Sequence, residues 1–163
     1  MKRYTNWIIE KNIENENKDK IKHYVDGILV SPDEEILILQ RANYMKQFRG
    51  LWGFVGGSIE EKDKSPKDAI IREVKEETGI ELTFNEQHHM KAFDKHEHMG
   101  GSNDNEVVSD TEYWLIKLET KPEIKLSREH QRYKWMAEDN FKEKQGKYMP
   151  DVFQEIQNYY LNI

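Results

Sequence analysis

The chain has 163 residues, 36% of them hydrophobic and 34% charged, with a formal net charge of −6 and no cysteine. That length suits one core rather than two, the acidic balance argues against a general nucleic-acid binder, and the lack of cysteine excludes disulfide and thiol chemistry. No apolar run approaches the roughly 18 residues of a transmembrane helix and the start lacks a signal-peptide core, so the expectation is one cytoplasmic domain over 1–163 without membrane or nucleic-acid partners.

Residues 1–20 read as an N-terminal extension, with a short strand at Tyr4–Glu10 and a mixed-charge, Asn-rich connector at Lys11–Lys20. Ile21–Val30 and Glu35–Gln40 flank Ser31-Pro32-Asp33-Glu34, the pattern of a β-hairpin. Arg41–Gly50 is a loop carrying Arg41, Lys46 and Arg49 beside Tyr44 and Phe48. Leu51–Glu61 is a strand that ends in the Gly56-Gly57 turn, where glycine lets the backbone approach a ligand.

A helix follows. Ser65 suits its N-cap, Pro66 its first position, and Asp68 a capping box. Ile70, Val74 and, less squarely, Ile71 make the buried face, the glutamates take an adjacent, wetter face, and Gly79 stops the helix. Leu82–Phe93 is a strand interrupted by polar residues, Lys95–Glu106 a loop rich in glycine, asparagine and histidine, and Val107–Leu118 a long strand. A C-terminal helix occupies the region from Phe141 to Tyr160, split near Gly146 and Pro150, with its last part at about 149–161. Strands outnumber helices and no repeat or long linker intervenes. The fold class is therefore α/β (α+β), an α/β/α sandwich around a central mixed β-sheet.

The run from Arg72 to Ile80 carries the most chemistry. Glu73, Glu76 and Glu77 fall within roughly one quarter of the helical circumference. Like charges so placed weaken an isolated helix. A hard divalent cation such as Mg²⁺, which takes oxygen ligands from carboxylates and substrate phosphates, turns that cost into a binding site. A solvated face is the commoner use of such a pattern; the glycine turn before it, Arg72 and the Gly79 stop favour metal.

His88, His89, His96 and His98 invite a zinc reading, against which stands the plainer one of a polar loop. Such a loop can cover a site and supply a base, and Asp104 and Glu106 are equally available. Tyr44, Phe48 and Trp114 can stack on a base, although core packing is the commoner use of each. Arg41 and Arg49 are candidate phosphate contacts.

Strand, glycine loop, capped helix and glycine stop, in that order, resemble the Nudix box, G-x5-E-x7-R-E-U-x-E-E-x-G-U with U aliphatic. From Arg72 to Ile80 the match is complete. Counted from Gly57, the first glutamate position holds Asp63, and eight residues rather than seven separate it from Arg72. The box thus reads as Gly57 to Ile80 with a one-residue insertion and Asp63 as a shortened acid. The resemblance implies that Glu73, Glu76 and Glu77 hold Mg²⁺, or Mn²⁺ in its place, that the backbone carbonyl of Gly56 adds an oxygen, and that Arg72 orients the glutamates. Glu129-His130-Gln131-Arg132-Tyr133-Lys134-Trp135 resembles the acid-x5-Trp segment of many Nudix enzymes. It implies Glu129 as a further metal ligand and, by likeness to members that cleave nucleotide sugars, His130 as general base. Glu73 and the acids of 95–106 are the other choices for that base.

The implied reaction is hydrolysis of a phosphoanhydride in a nucleoside diphosphate linked to another moiety. Between Ile80 and Val107 the chain has neither the proline of members acting on ADP-ribose nor the tyrosine of those acting on dinucleoside polyphosphates, and the motif tied to NADH hydrolysis is missing. A nucleoside triphosphate or nucleotide sugar is favoured. The alternative is a catalytically silent Nudix-like domain that senses a nucleotide. A small nucleotide is the expected partner, and a homodimer accords with related enzymes.

Overall fold

The computed structural model describes residues 21–82, 90–100, 106–141 and 147–161. Expectations for 1–20, His88, His89, Asp104 and Gly146 fall outside those ranges. Seven strands, β1 (Lys22–Val30), β2 (Ile36–Arg41), β3 (Trp52–Gly53), β4 (Val55–Ser58), β5 (Met90–Gly100), β6 (Glu106–Lys117) and β7 (His130–Met136), form one sheet. Its main path runs β3-β2-β1-β6-β5, with β4 on β1 and β7 on β2. β1 and β6 run parallel from Lys22↔Ser109 to Val30↔Lys117, while the other pairings are antiparallel, so the sheet is mixed. Helix α1 is Pro66–Thr78, α2 is Glu138–Phe141 and α3 is Val152–Leu161. None of the described helices is long and apolar enough to cross a membrane.

Alternation along the strands builds two cores. Val25 and Leu29 of β1, with Leu37 and Leu39 of β2, pack with Ala69, Ile70 and Val74 of α1. Ile28, Val30, Ile36 and Ile38 point the other way and pack with Phe141 of α2 and Val152, Ile156 and Tyr159 of α3. A period of two on a strand sends successive side chains to opposite faces, which is why apolar runs here serve both layers. The result is the expected α/β/α sandwich.

Local signals at α1 hold. Ser65 accepts from the Asp68 amide at 3.2 Å and its hydroxyl donates to Asp68 Oδ2 at 3.1 Å. Gly79 is left-handed at φ 75° and its amide donates to the Lys75 carbonyl. The turn between β1 and β2 closes through Ser31 N to the Glu35 carbonyl at 2.9 Å.

Two segments depart from the sequence reading. Leu51–Glu61 splits into β3, paired with β2, and β4, paired with β1. Lys95–Gly100 is strand rather than loop: Asp94, Lys95, His96, Glu97 and His98 alternate between half-buried and exposed while their backbones pair with β6. The ladder satisfies backbone groups whatever the side chains are, so a polar stretch becomes a strand once a partner is available. The C-terminal helix is found as α3; the short α2 ends at Phe141, and Tyr148 bridges to Trp52 between the two.

Candidate active site

β1 and β4 pair so that Asp26 sits opposite Gly56 and Val25 opposite Gly57. The chain then turns into α1, which brings the glutamates back beneath those glycines. Glu77 Oε2 accepts a hydrogen bond from the Gly56 amide at 3.0 Å. A Cβ on Gly57 would lie 2.5 Å from Glu73 Oε1, so the carboxylate occupies the space a side chain would need. Each of the paired glycines therefore seats one glutamate.

Arg72 ties the arrangement together. Its Nη1 donates to Glu73 Oε1 at 2.7 Å and to Glu76 Oε2 at 3.1 Å. Its Nε and Nη2 grip the two oxygens of Asp63, and Nη2 also reaches the Ser58 carbonyl. The hydrogen bonds from Arg72 hold Asp63 down at about 2. An acid one carbon shorter than glutamate, one residue further from Arg72 than the box spacing, thus meets the guanidinium squarely.

The glutamates are not on a wet face, as their helical positions had implied. Glu73 and Glu77 are buried and only Glu76 is exposed. α1 packs on β1 and β4, so positions 73 and 77, one turn apart, turn into the crevice under the glycines. Burial drives Glu77 well above the usual carboxylate range and raises Glu73, although Arg72 opposes the shift at Glu73.

Sequence reasoning missed Asp26. It is half-buried on the cleft wall, and desolvation followed by the charge of Glu73 pushes it up to about 7. The available signal was a single acid inside the apolar run Val25–Val30.

A cleft of about 390 Å³ opens over these groups, and Arg41, Phe48, Gly56, Glu77 and His130 all line it. His130 is buried rather than on the surface, and its Nδ1 has no hydrogen-bond partner among the described residues. Burial, helped by the charge of Arg41, lowers it to about 4. The imidazole is therefore neutral near pH 7, and its 3.9 Å approach to Glu77 Oε1 is not an ion pair. Glu129 is more than half exposed, yet its charge raises both Glu73 and Glu77. Arg49 is exposed and is not among the residues that line the cleft. Tyr44 is 69% exposed rather than packed, whereas Trp114 packs against the α1-side core.

The donor set fits a hard divalent cation. Asp26, Glu73 and Glu77 are carboxylates withdrawn from water and mutually repelling, with Arg72 compensating only Glu73 among them. Oxygen donors crowded in this way suit Mg²⁺ or Mn²⁺.

A NUDIX domain model matches residues 21–156. The chain belongs to the NUDIX family. It is 43% identical over 62 residues to the CTP pyrophosphohydrolase of Escherichia coli (strain K12), covering 38% of this chain and 44% of that protein. It is 35% identical over 85 residues to the ADP-ribose pyrophosphatase of Methanocaldococcus jannaschii, covering 48% and 46%. The chain spans about half the length of the curated relatives it matches. Among solved structures, a bifunctional NMN adenylyltransferase/ADP ribose pyrophosphatase from Francisella tularensis, complexed with AMP and Mn ion, aligns at TM-score 0.71 and 24% identity. That match covers 98% of this chain and 49% of the other. The NUDIX domain of Shewanella oneidensis NrtR, complexed with ADP ribose, aligns at 0.67 and 22%, covering 87% and 88%. At these identities the likeness is one of fold. Against the NUDIX pattern, this chain's departure is confined to the loop, at Asp63, and Arg72 bridges that acid to Glu73 and Glu76.

Proposed function

We propose that this NUDIX chain, read as one domain over 1–163, is a Mg²⁺-dependent pyrophosphohydrolase that cleaves a phosphoanhydride bond in a nucleoside diphosphate linked to another moiety. The observation that carries the reading is the seating of Glu73 and Glu77 against Gly57 and Gly56, two glycines that line the cleft, with Arg72 holding Glu73 and Glu76. Glu73, Glu76 and Glu77, with the Gly56 carbonyl and Glu129, would hold the cation. A bound divalent cation neutralises a diphosphate, activates water and stabilises the leaving phosphate.

The chain's own residues supply position and proton transfer. Arg72 holds two glutamates in fixed orientation, so little reorganisation is needed when substrate arrives. Arg41, on the cleft wall, would contact phosphate oxygens. His130 is neutral and lines the cleft, and it would serve as the proton acceptor for the attacking water. Phe48, 43% exposed on the same cleft, offers a face to a base.

Nucleoside triphosphates and nucleotide sugars are the favoured substrates. The first class is supported by two relatives named CTP pyrophosphohydrolase and 8-oxo-dGTP diphosphatase. The deciding experiment is release of phosphate or pyrophosphate from CTP, 8-oxo-dGTP, ADP-ribose and a UDP-sugar, with and without Mg²⁺. Mg²⁺-dependent product that Glu76→Gln abolishes supports the reading. Saturable nucleotide binding without product at any pH favours a nucleotide sensor.

A further inference from the structure

The histidine-rich strand β5 meets α3 at a second group of donors. Asp94 and His96, two apart on β5, project from the same face, and Glu155 reaches them from α3. His96 Nε2 lies 3.2 Å from Asp94 Oδ2 and 2.5 Å from Glu155 Oε1, and one donor atom from each residue falls within 4.8 Å of the others. None of the three lines the cleft; they touch it through Tyr113, whose ring meets the edge of His96 at 5.5 Å.

Glu155 makes this more than a surface cluster. It is fully buried, and its carboxylate has His96 and Asp94 beside it, with Oε1 2.5 Å from His96 Nε2. A single Nε2 carries at most one proton, which cannot serve Asp94 and both oxygens of Glu155. Buried carboxylates are ordinarily hydrogen-bonded, paired or bound to metal. Bonds of about 2.0–2.2 Å to a four-coordinate cation would set neighbouring donors at about 3.3 Å, close to the 3.2 Å between His96 and Asp94.

We infer that Asp94, His96 and Glu155 form a binding site for a late first-row divalent cation such as Zn²⁺ or Co²⁺, separate from the box glutamates. One imidazole and two carboxylates suit such ions better than Mg²⁺, which prefers oxygen alone. The ion joins α3 to the edge strand β5 behind Tyr113. The inference does not depend on the hydrolase reading.

The test uses the full chain, freed of metal with chelator, in a Glu73→Gln/Glu76→Gln background that weakens the box site. Co²⁺ is titrated with its visible absorption and bound metal counted after dialysis. The expected result is retention of about one equivalent of Co²⁺, bound about tenfold more weakly or worse once His96→Ala or Asp94→Asn is added. Asp94→Asn lies at a half-exposed position and keeps the test valid should the histidine variant misfold. Absence of Co²⁺ in the background variant, or unchanged affinity in both added variants, overturns the site and identifies Glu155 as a buried acid that needs no ion.

Discussion

Arg72 and Asp63 face each other through two parallel hydrogen bonds, Nε to Oδ1 at 3.0 Å and Nη2 to Oδ2 at 2.9 Å. The Asp63 side chain is almost wholly enclosed, so this fork is the anchor from which the same guanidinium reaches Glu73 and Glu76. Asp63→Asn should cost about 1.5–3 kcal/mol at pH 7 and lower kcat as Arg72 loosens. The sign with pH follows from the depressed acid. Its stabilisation is complete above the ordinary value of 3.8 and is lost as pH falls through about 2. Urea unfolding of both proteins should show a constant gap at pH 5–7 that closes toward pH 2. A gap that persists at pH 2 would break the link between the fork and the stability it is assigned.

Glu76 and Glu77 are adjacent in sequence and opposite in surroundings, so their amide variants should separate function from fold. Glu76 is exposed, and Glu76→Gln should cut turnover by about a hundredfold or more with an unchanged melting temperature. Glu77 is buried among Glu73 and Asp26, so its ionised form costs the metal-free protein stability. Glu77→Gln removes that charge and can still accept from the Gly56 amide. The metal-free variant should melt no lower than the parent, while its rise in melting temperature on adding Mg²⁺ should shrink. Thermal melts with and without Mg²⁺ check both halves of the contrast.

What the sequence made legible was local. The α1 caps depend on residues within one turn of the helix ends, and Ser65, Asp68 and Gly79 do there what their side chains and φ angles allow. The seating of Glu73 and Glu77 depends instead on β4 lying across the helix, which no helical period contains. For the same reason the second half of β5, Lys95–Gly100, looked like a loop: its polar side chains carry no apolar period, and only the ladder with β6 makes it a strand. Asp26 and Gly56 are far apart in sequence and meet through strand register alone. Arg41 ends β2 and lines the cleft, whereas Arg49 lies in the turn that follows and does not.

Gly57→Ala should act on the site more than on the fold. The added carbon would meet Glu73 Oε1, Cδ and Oε2 at 2.5–2.9 Å, the far end of a flexible side chain that can swing away. Activity should fall by about tenfold or more at a stability cost within about 1 kcal/mol. Gly56→Ala is the contrasting case. There the new carbon would meet the Val25 carbonyl at 2.2 Å, and backbone in a ladder cannot yield without losing pairing. It should destabilise the protein by about 1–3 kcal/mol. Equal unfolding midpoints for the two variants would contradict this account of the turn.

His130 separates a chemical role from a packing role. Its backbone belongs to β7 and pairs with Arg41 of β2, so the side chain is presented to the cleft by a ladder that survives truncation. The imidazole is neutral, the state a proton acceptor needs before substrate binds. His130→Ala should therefore lower kcat by about a hundredfold with KM nearly unchanged, and the Mg²⁺-induced rise in melting temperature should persist. If the ring only fills space, the cavity it leaves should instead lower the melting temperature and raise KM while kcat holds. Steady-state kinetics on the best substrate, read beside the melts, distinguishes the two, because proton transfer leaves its mark on turnover and packing on the fold.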